Sequence, residues 1–195
     1  MNRTQLIKAV QVRIDDVVTD NAIEVVSNQT IDQILDEQLS NAFKFLPVRF
    51  LPFKPITGTI TETQAGLSEI TLPTDFLRLV RFNTTNLTRP VTESDLVTEG
   101  GRDHIFMYYS YVSGGNSRIR ACVTKNTGLK LMFNTSAPGT VTEGFYIAIP
   151  TPEDVTVEIL DPVAWYIAST TLQIMGEVEA GKAALNKVTE FLTTK

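Results

Sequence analysis

The sequence is short of the residues that most chemistry needs. It has one cysteine, Cys122, so no disulfide can form within the chain, and a single free thiol fits synthesis in a reducing cytoplasm. It has one histidine, His104, which leaves no material for a multi-histidine metal site or a histidine relay. No apolar run approaches the roughly 20 residues that span a bilayer. The opening MNRTQLIKAV has neither the apolar core nor the small-residue cleavage site of a secretory leader, so none is expected. Phosphate-cradling GxGxxG and GxxxxGK[ST] loops are missing, as are HExxH, GxSxG and the calcium-loop pattern. There is no fixed-period repeat and no low-complexity tail. Seventeen Lys and Arg against 22 Asp and Glu give a net charge of −5, which argues against a protein that coats DNA through clustered cations.

What is present is a globular composition, 43% hydrophobic and 20% charged over 195 residues, enough for one well-buried structural unit. The ends read as helix. Leu6, Val10, Ile14, Val17 and Val18 recur at helical spacing between Thr4 and Val18, and Ala22 to Val26 is expected to add a short helical turn. A second helix is predicted from Thr30 to Leu46, with Thr30 as N-cap, Gln33 at the capping-box position and Pro47 as the stop. Its stripe is Ile31, Ile34, Leu35, Leu39, Ala42, Phe43 and Leu46. At the other end, Asp161-Pro162 predicts a helix start running to about Met175, with Val163, Ile167, Thr171, Ile174 and Met175 near one stripe. Gly176 interrupts it, and Val178 to Leu192 continues as helix.

The middle reads as strand. Ile60 to Thr63 leads through Gln64-Ala65-Gly66 into Leu67 to Leu72. LPTDFLRLVRF, Leu72 to Phe82, is too apolar for a surface loop; strict alternation sets Phe76, Arg78, Val80 and Phe82 on one face and Leu77, Leu79 and Arg81 on the other. The stretch is expected to hinge the helical part to the strands, with Phe76, Leu77 and Leu79 as core anchors. Thr88 to Val91, holding Pro90, is an edge or a connector. Thr92 to Gly101 reads as a solvated loop or short helix, in which Glu93 and Asp95 are surface charge. Asp103 to Val112 is ambiguous, its three tyrosines tilting it to strand, and Gly114-Gly115-Asn116 is a turn. Arg118 to Thr124, Leu129 to Phe133 and Phe145 to Ile149 alternate cleanly, which predicts a three-stranded antiparallel meander. The expected class is therefore α+β: one structural unit, residues 1–195, with a helical part at 1–46 and 159–195 and an antiparallel β-rich lobe at 47–158.

No residue constellation supports catalysis, and no enzyme activity or cofactor is expected. His104 is expected to be solvated in a loop, and Cys122 to be a partly buried, inert thiol. One cluster stands out: Arg102, Arg118, Arg120, Lys125 and Lys130, interleaved with Tyr108, Tyr109 and Tyr111. Cations among aromatic rings suit a solvated sheet face, a protein interface or nucleic-acid contact. Arg78, Arg81, Tyr109, Tyr111, Arg118 and Arg120 are the candidate residues of a partner or subunit interface.

LPTDFLRLVRF, followed by Arg89-Pro90-Val91 and the Arg118-led strand, resembles the neck-ring, or head-to-tail connector, proteins of crAss-like podoviruses. IDQILDEQLSNAFKFLP is similar to that family's opening helices, and DPVAWYIASTTLQIMGEVEAGKAALNKVTEFL to the last helix pair of tailed-phage head completion proteins. The resemblance spans about Thr30 to Leu192. It implies a structural virion protein, assembled in the bacterial cytoplasm, that forms a dodecameric ring beneath the portal. Its partners would be the portal and adjacent neck or tail rings, with no membrane. Genomic DNA would pass through the lumen without specific recognition. A different tail-associated adaptor or decoration module, or a nucleic-acid-binding module using the Arg- and Tyr-rich strands, are the alternatives.

Overall fold

The computed structural model describes residues 1–18, 26–64, 66–109, 119–125, 128–135, 137 and 139–194. The expected turns at Ala22 to Val26 and Gly114 to Asn116 fall wholly or mostly outside these residues. The chain divides into two compact units: a helical one from residues 1–52 and 149–195, and a β one from residues 53–148. Five α-helices and two antiparallel four-stranded sheets among the described residues make the fold α+β.

The helical unit is built by both ends of the chain. Helix α1, Arg3–Val17, starts at a reciprocal capping box between Asn2 and Gln5, which satisfies two end N–H groups at once. Helix α2, Asn28–Phe45, is capped by Ser27, whose hydroxyl accepts from the Thr30 N–H at 3.1 Å. The helix thus begins ahead of Thr30, because Ser27 is the earlier side chain able to cap and Asn28 and Gln29 accept helical geometry. Helix α4, Val157–Ile174, also begins earlier than Asp161-Pro162 predicts, and Pro162 lies inside it. Only the first four N–H groups of a helix lack intrahelical acceptors, so a proline at the sixth position forfeits one bond, to a carbonyl in the exposed first turn.

Helix α4 ends in a Schellman turn: Gly176 at φ +91°, with the Glu177 N–H on the Leu172 carbonyl at 2.9 Å and the Gly176 N–H on that of Gln173 at 3.1 Å. Helix α5, Val178–Thr194, follows. Helix α4 packs against α1, α2 and α5. Leu6, Val10 and Ile14 of α1 meet Ile31, Leu35, Leu39 and Phe43 of α2, Ile159, Val163, Ile167 and Leu172 of α4, and Ala184 and Val188 of α5 as the unit's buried residues. Gly181 lets α4 and α5 approach: a Cβ there would stand 2.6 Å from Gln173 Cγ and 3.0 Å from the Ser169 carbonyl. The Ser169 hydroxyl donates to the Gly181 carbonyl across the gap at 2.7 Å.

In the β unit, one sheet has the order β1 (Lys54–Pro55), β8 (Val141–Ala148), β4 (Phe76–Thr84), β5 (Val91–Thr92). The other runs β2 (Ile60–Gln64), β3 (Leu67–Thr71), β7 (Lys130–Asn134), β6 (Ala121–Thr124). Their inner faces share one core, in which Leu79, Phe82, Val91 and Tyr146 of the first sheet meet Ile70, Leu131 and Phe133 of the second. The Phe82 and Phe133 rings lie 5.1 Å apart at its centre. The predicted meander is therefore corrected. β6 and β7 form its hairpin, but the third strand, β8, joins the other sheet between β1 and β4. Alternation fixes which face a strand buries and says nothing about its neighbour.

LPTDFLRLVRF lies wholly inside the β unit, as the turn from β3 into β4, and is not a hinge to the helices. Strict alternation also fails along it. Register shifts between Phe76 and Arg78 and between Leu79 and Arg81 insert extra residues opposite β8, so Leu79 and Phe82, three apart, both enter the core. Leu79 is the fully buried anchor, Phe76 stacks half-buried on Tyr146, and Leu77 is half-buried.

Residues Arg102–Tyr109 form helix α3, not a strand. Met107 covers Leu67, Cys122 and Met132 on the outer face of the second sheet. Pairs four apart meet along its surface: the Arg102 guanidinium stands 5.3 Å over the Phe106 ring, and His104 meets Tyr108 edge-on at 5.4 Å.

Candidate interaction surface

Three of the six candidate residues have described side chains, and each has an acid. Arg78 on β4 is largely buried and pairs with Glu93. Arg81, half-exposed on the same strand, pairs with Glu143 of the neighbouring β8 at 3.0 Å. Arg120 precedes β6 in the other sheet; its backbone N–H bonds the Asn134 side chain at 2.7 Å, and its guanidinium stands 3.9 Å from Asp103. Tyr109 ends helix α3, while Tyr111 and Arg118 lie outside the described residues. Part of the wider basic cluster is matched as well. Lys130 is bonded to Glu69 across the β3–β7 pair at 2.6 Å, and Arg102 lies over Phe106. Cations already matched to carboxylates add little to a phosphate-binding surface.

The firmest polar assembly was missed by reading Asp95 as surface charge. Val91 and Thr92 form the edge strand, and a 3-10 turn, Glu93–Asp95, follows at once. Arg89 grips the Asp95 carboxylate with both terminal nitrogens, at 2.6 and 2.8 Å, and Thr92 donates to it from its N–H and its hydroxyl, at 3.0 and 3.1 Å. Asp95 is only 6% exposed. The Arg89 bond, with help from Thr92, outweighs burial and holds the carboxyl down at about 2. The spacing Thr92-x-x-Asp95 is a capping box, the one sequence signal that foretold it.

A second polar knot closes the β3–β4 turn. Asp75 accepts from Lys54 at 2.8 Å and from the Tyr146 hydroxyl at 2.8 Å. The Lys54 bond leads in holding the Asp75 carboxyl below its ordinary value, whereas burial, then the bond to Asp75, raises the Tyr146 phenol. Cys122 is fully buried beneath α3, where burial, followed by the nearby Glu99 charge, pushes its thiol up to about 11. His104 is half-buried on α3 rather than solvated in a loop, its Nδ1 accepting from the Gly100 N–H at 3.2 Å. Among the described residues, no group of three or more His, Cys, Asp and Glu could hold a metal ion. No described helix is long and apolar enough to cross a membrane.

Among the described residues, large apolar side chains are left in the open singly, as at Val157, Phe53 and Ile149, and in groups on α3 and at the α4–α5 turn. On α3 they are Ile105, Phe106 and Tyr108, with Ile105 51% exposed. At the α4–α5 turn they are Ile174, Met175 and Val178, with Ile174 62% exposed, although Ile174 and Met175 fall near the helical stripe. The Schellman turn ends α4 at this point, so the stripe outruns the neighbours that would cover it.

No protein-family model matches the chain, and no curated protein matches it.

Proposed function

We propose that this protein is a structural component of a tailed-phage virion: a subunit of a neck ring beneath the portal that joins head to tail around the DNA passage. The observation that carries the reading is where the family-like stretches fall. The opening and closing stretches that resemble neck and head completion proteins build the helical unit together, and LPTDFLRLVRF supplies the turn and bulged central strand of the β unit. On this reading the chain is neither an enzyme nor a cofactor carrier. Its acids and cations lock strands and turns in register, and its exposed apolar side chains serve assembly.

Charge distribution supports the same reading. Residues 1–52 and 149–195 hold eight Lys and Arg against fourteen Asp and Glu, a net charge of −6, while residues 53–148 hold nine against eight. Carboxylates facing a lumen would repel the DNA backbone and keep its passage free of adhesion. The test is to mix the purified chain with the portal protein of the same phage and measure assembly by mass photometry, then image the complex by electron cryo-microscopy. A stoichiometric ring on the portal with an acidic lumen is expected. A chain that never joins the portal, or a ring with a strongly positive lumen, would sink the reading.

A further inference from the structure

Helix α3 is held to the rest of the β unit by little. Its eight residues fall below the length at which a helix persists on its own hydrogen bonds. Among its described side chains only Met107 is buried, while Ile105, Phe106 and Tyr108 are exposed. Its polar ties to the strands are long. The Gln64 side-chain amide reaches the Tyr108 carbonyl at 3.3 Å, and the Asp103 carboxylate stands 3.9 Å from the Arg120 guanidinium, beyond hydrogen-bond reach. Closure also strands a donor. His104 Nδ1 accepts from the Gly100 N–H at 3.2 Å, so the neutral ring carries its hydrogen on Nε2, and that nitrogen is buried with no hydrogen-bond partner among the described residues. An unsatisfied buried donor disfavours the state that buries it.

The surroundings stand without α3. Leu67, Cys122 and Met132, which Met107 covers, belong to β3, β6 and β7, and these strands are laddered to one another. The core shared by the two sheets includes no α3 residue. The chain ahead of the helix is fixed separately: the Val97 N–H bonds the Ala121 carbonyl at 2.8 Å, and the Lys125 N–H bonds the Glu99 carboxylate at 3.2 Å. Between that anchor and the helix lie Gly100, at φ +78°, and Gly101, the residue type with the widest backbone freedom.

We infer that α3 is a hinged cover over the outer face of the second sheet. It detaches at Gly100-Gly101 while both sheets stay folded, and in doing so uncovers Leu67, Cys122 and Met132. The open form presents an apolar face with two sulfur side chains, which adapt to irregular contacts, and the closed form has no such face. The inference concerns the β unit alone and does not rest on the neck-ring reading.

Cys122 is the only thiol in the chain, so a thiol reagent reports on this face and nowhere else. In the closed form it is fully buried, and burial pushes it up to about 11, so it is both covered and protonated. The full chain is treated with N-ethylmaleimide in increasing urea below the unfolding transition, labelling is followed by mass spectrometry, and the rate is compared with global unfolding measured by circular dichroism. Labelling is expected to be slower than in the unfolded chain, yet about a hundredfold or more faster than global unfolding permits. It should depend little on urea, because lifting one short helix exposes little surface. Met107→Ala is expected to speed labelling about tenfold or more. Gln64→Ala, at an exposed position, is expected to speed it about threefold, and keeps the test alive if the Met107 variant does not fold. Phe82→Leu weakens open and closed forms alike, so it should lower the urea midpoint and leave the labelling rate in water unchanged.

Labelling that keeps pace with global unfolding and shares its urea dependence would overturn the inference. So would labelling as fast as in the unfolded chain, since α3 would then cover nothing. A Phe82→Leu rate raised in proportion to the stability lost would do the same, as would Gln64→Ala and Met107→Ala rates equal to that of the wild type.

Discussion

The helical unit and the β unit solve the problem of burial differently. The helical unit relies on apolar stripes that repeat at the helical period, on end caps, and on one close approach at Gly181. Its ion pairs, such as Arg3 with Asp32 and Asp36, lie at the surface, where they contribute little. The β unit has a smaller shared core, and its short edge elements are tied down by polar knots: Arg89 with Asp95, and Lys54 with Asp75 and Tyr146. A helix satisfies its own backbone, so packing alone can position it. A two-residue strand such as β5 satisfies almost nothing by itself, and a buried carboxylate is what holds it in place.

The sharpest way to break this contrast is at the β core. Leu79→Asp puts a charge beside Phe82 and Phe133 with no partner, and a cost above about 4 kcal/mol is expected, enough to abolish folding of the β unit. Circular dichroism and solubility check it; a soluble, cooperatively folded variant would show that the two sheets do not share a core. Next comes the helical unit's close approach. Gly181→Val forces α4 and α5 apart against the Ser169 carbonyl and is expected to cost about 2–3 kcal/mol, read from urea unfolding. No change would mean that the helices are held by their stripes alone.

Asp95→Asn keeps the shape and removes the charge. A loss of about 1–2 kcal/mol at neutral pH is expected, less than for a fully buried pair because Arg89 is half-exposed. The same carboxyl sets a pH dependence. Its folded value, about 2, lies below its ordinary value of 3.8, so its contribution is whole above that value and drains away as pH falls toward 2. Urea midpoints between pH 5 and 2 should fall less steeply in Asp95→Asn than in the wild type. The smallest effect belongs to Arg81→Ala, at an exposed pair with Glu143: a stability change under about 0.5 kcal/mol by thermal unfolding, with any loss confined to assembly.

The two units were also unequally legible. Leu6, Val10, Ile14, Ile31, Leu35, Leu39 and Phe43 announce their buried faces because helical spacing is local, and a helix boundary shifts only by the choice between neighbouring caps such as Ser27 and Thr30. The exception is Ile174, where the stripe continues past the last packed neighbour. In the β unit, β2, β3, β6 and β7 were legible as strands, but the partner of β8 was not. It pairs with β4, a strand far back in the chain, and no local pattern encodes that choice. The two bulges of β4 defeated strict alternation. The aromatic content of Arg102–Tyr109 masked a helix whose Met107 packs on a sheet that forms elsewhere in the sequence. Of the candidate surface, Arg81 was legible as an outward position, whereas Arg78, read the same way, is largely buried; the carboxylate partners of both, Glu93 and Glu143, come from other segments.

The way both ends of the chain return to α4 has a consequence for synthesis. As the ribosome delivers the chain, α1 and α2 emerge with apolar stripes and no α4 to cover them. The β unit, residues 53–148, is complete and able to close while those first helices still wait. Only α4 followed by α5, emerging after the β unit, completes the helical core. A nascent chain stalled before residue 157 would therefore carry a finished β unit and an unfinished helical one, with the stripes of α1 and α2 still uncovered.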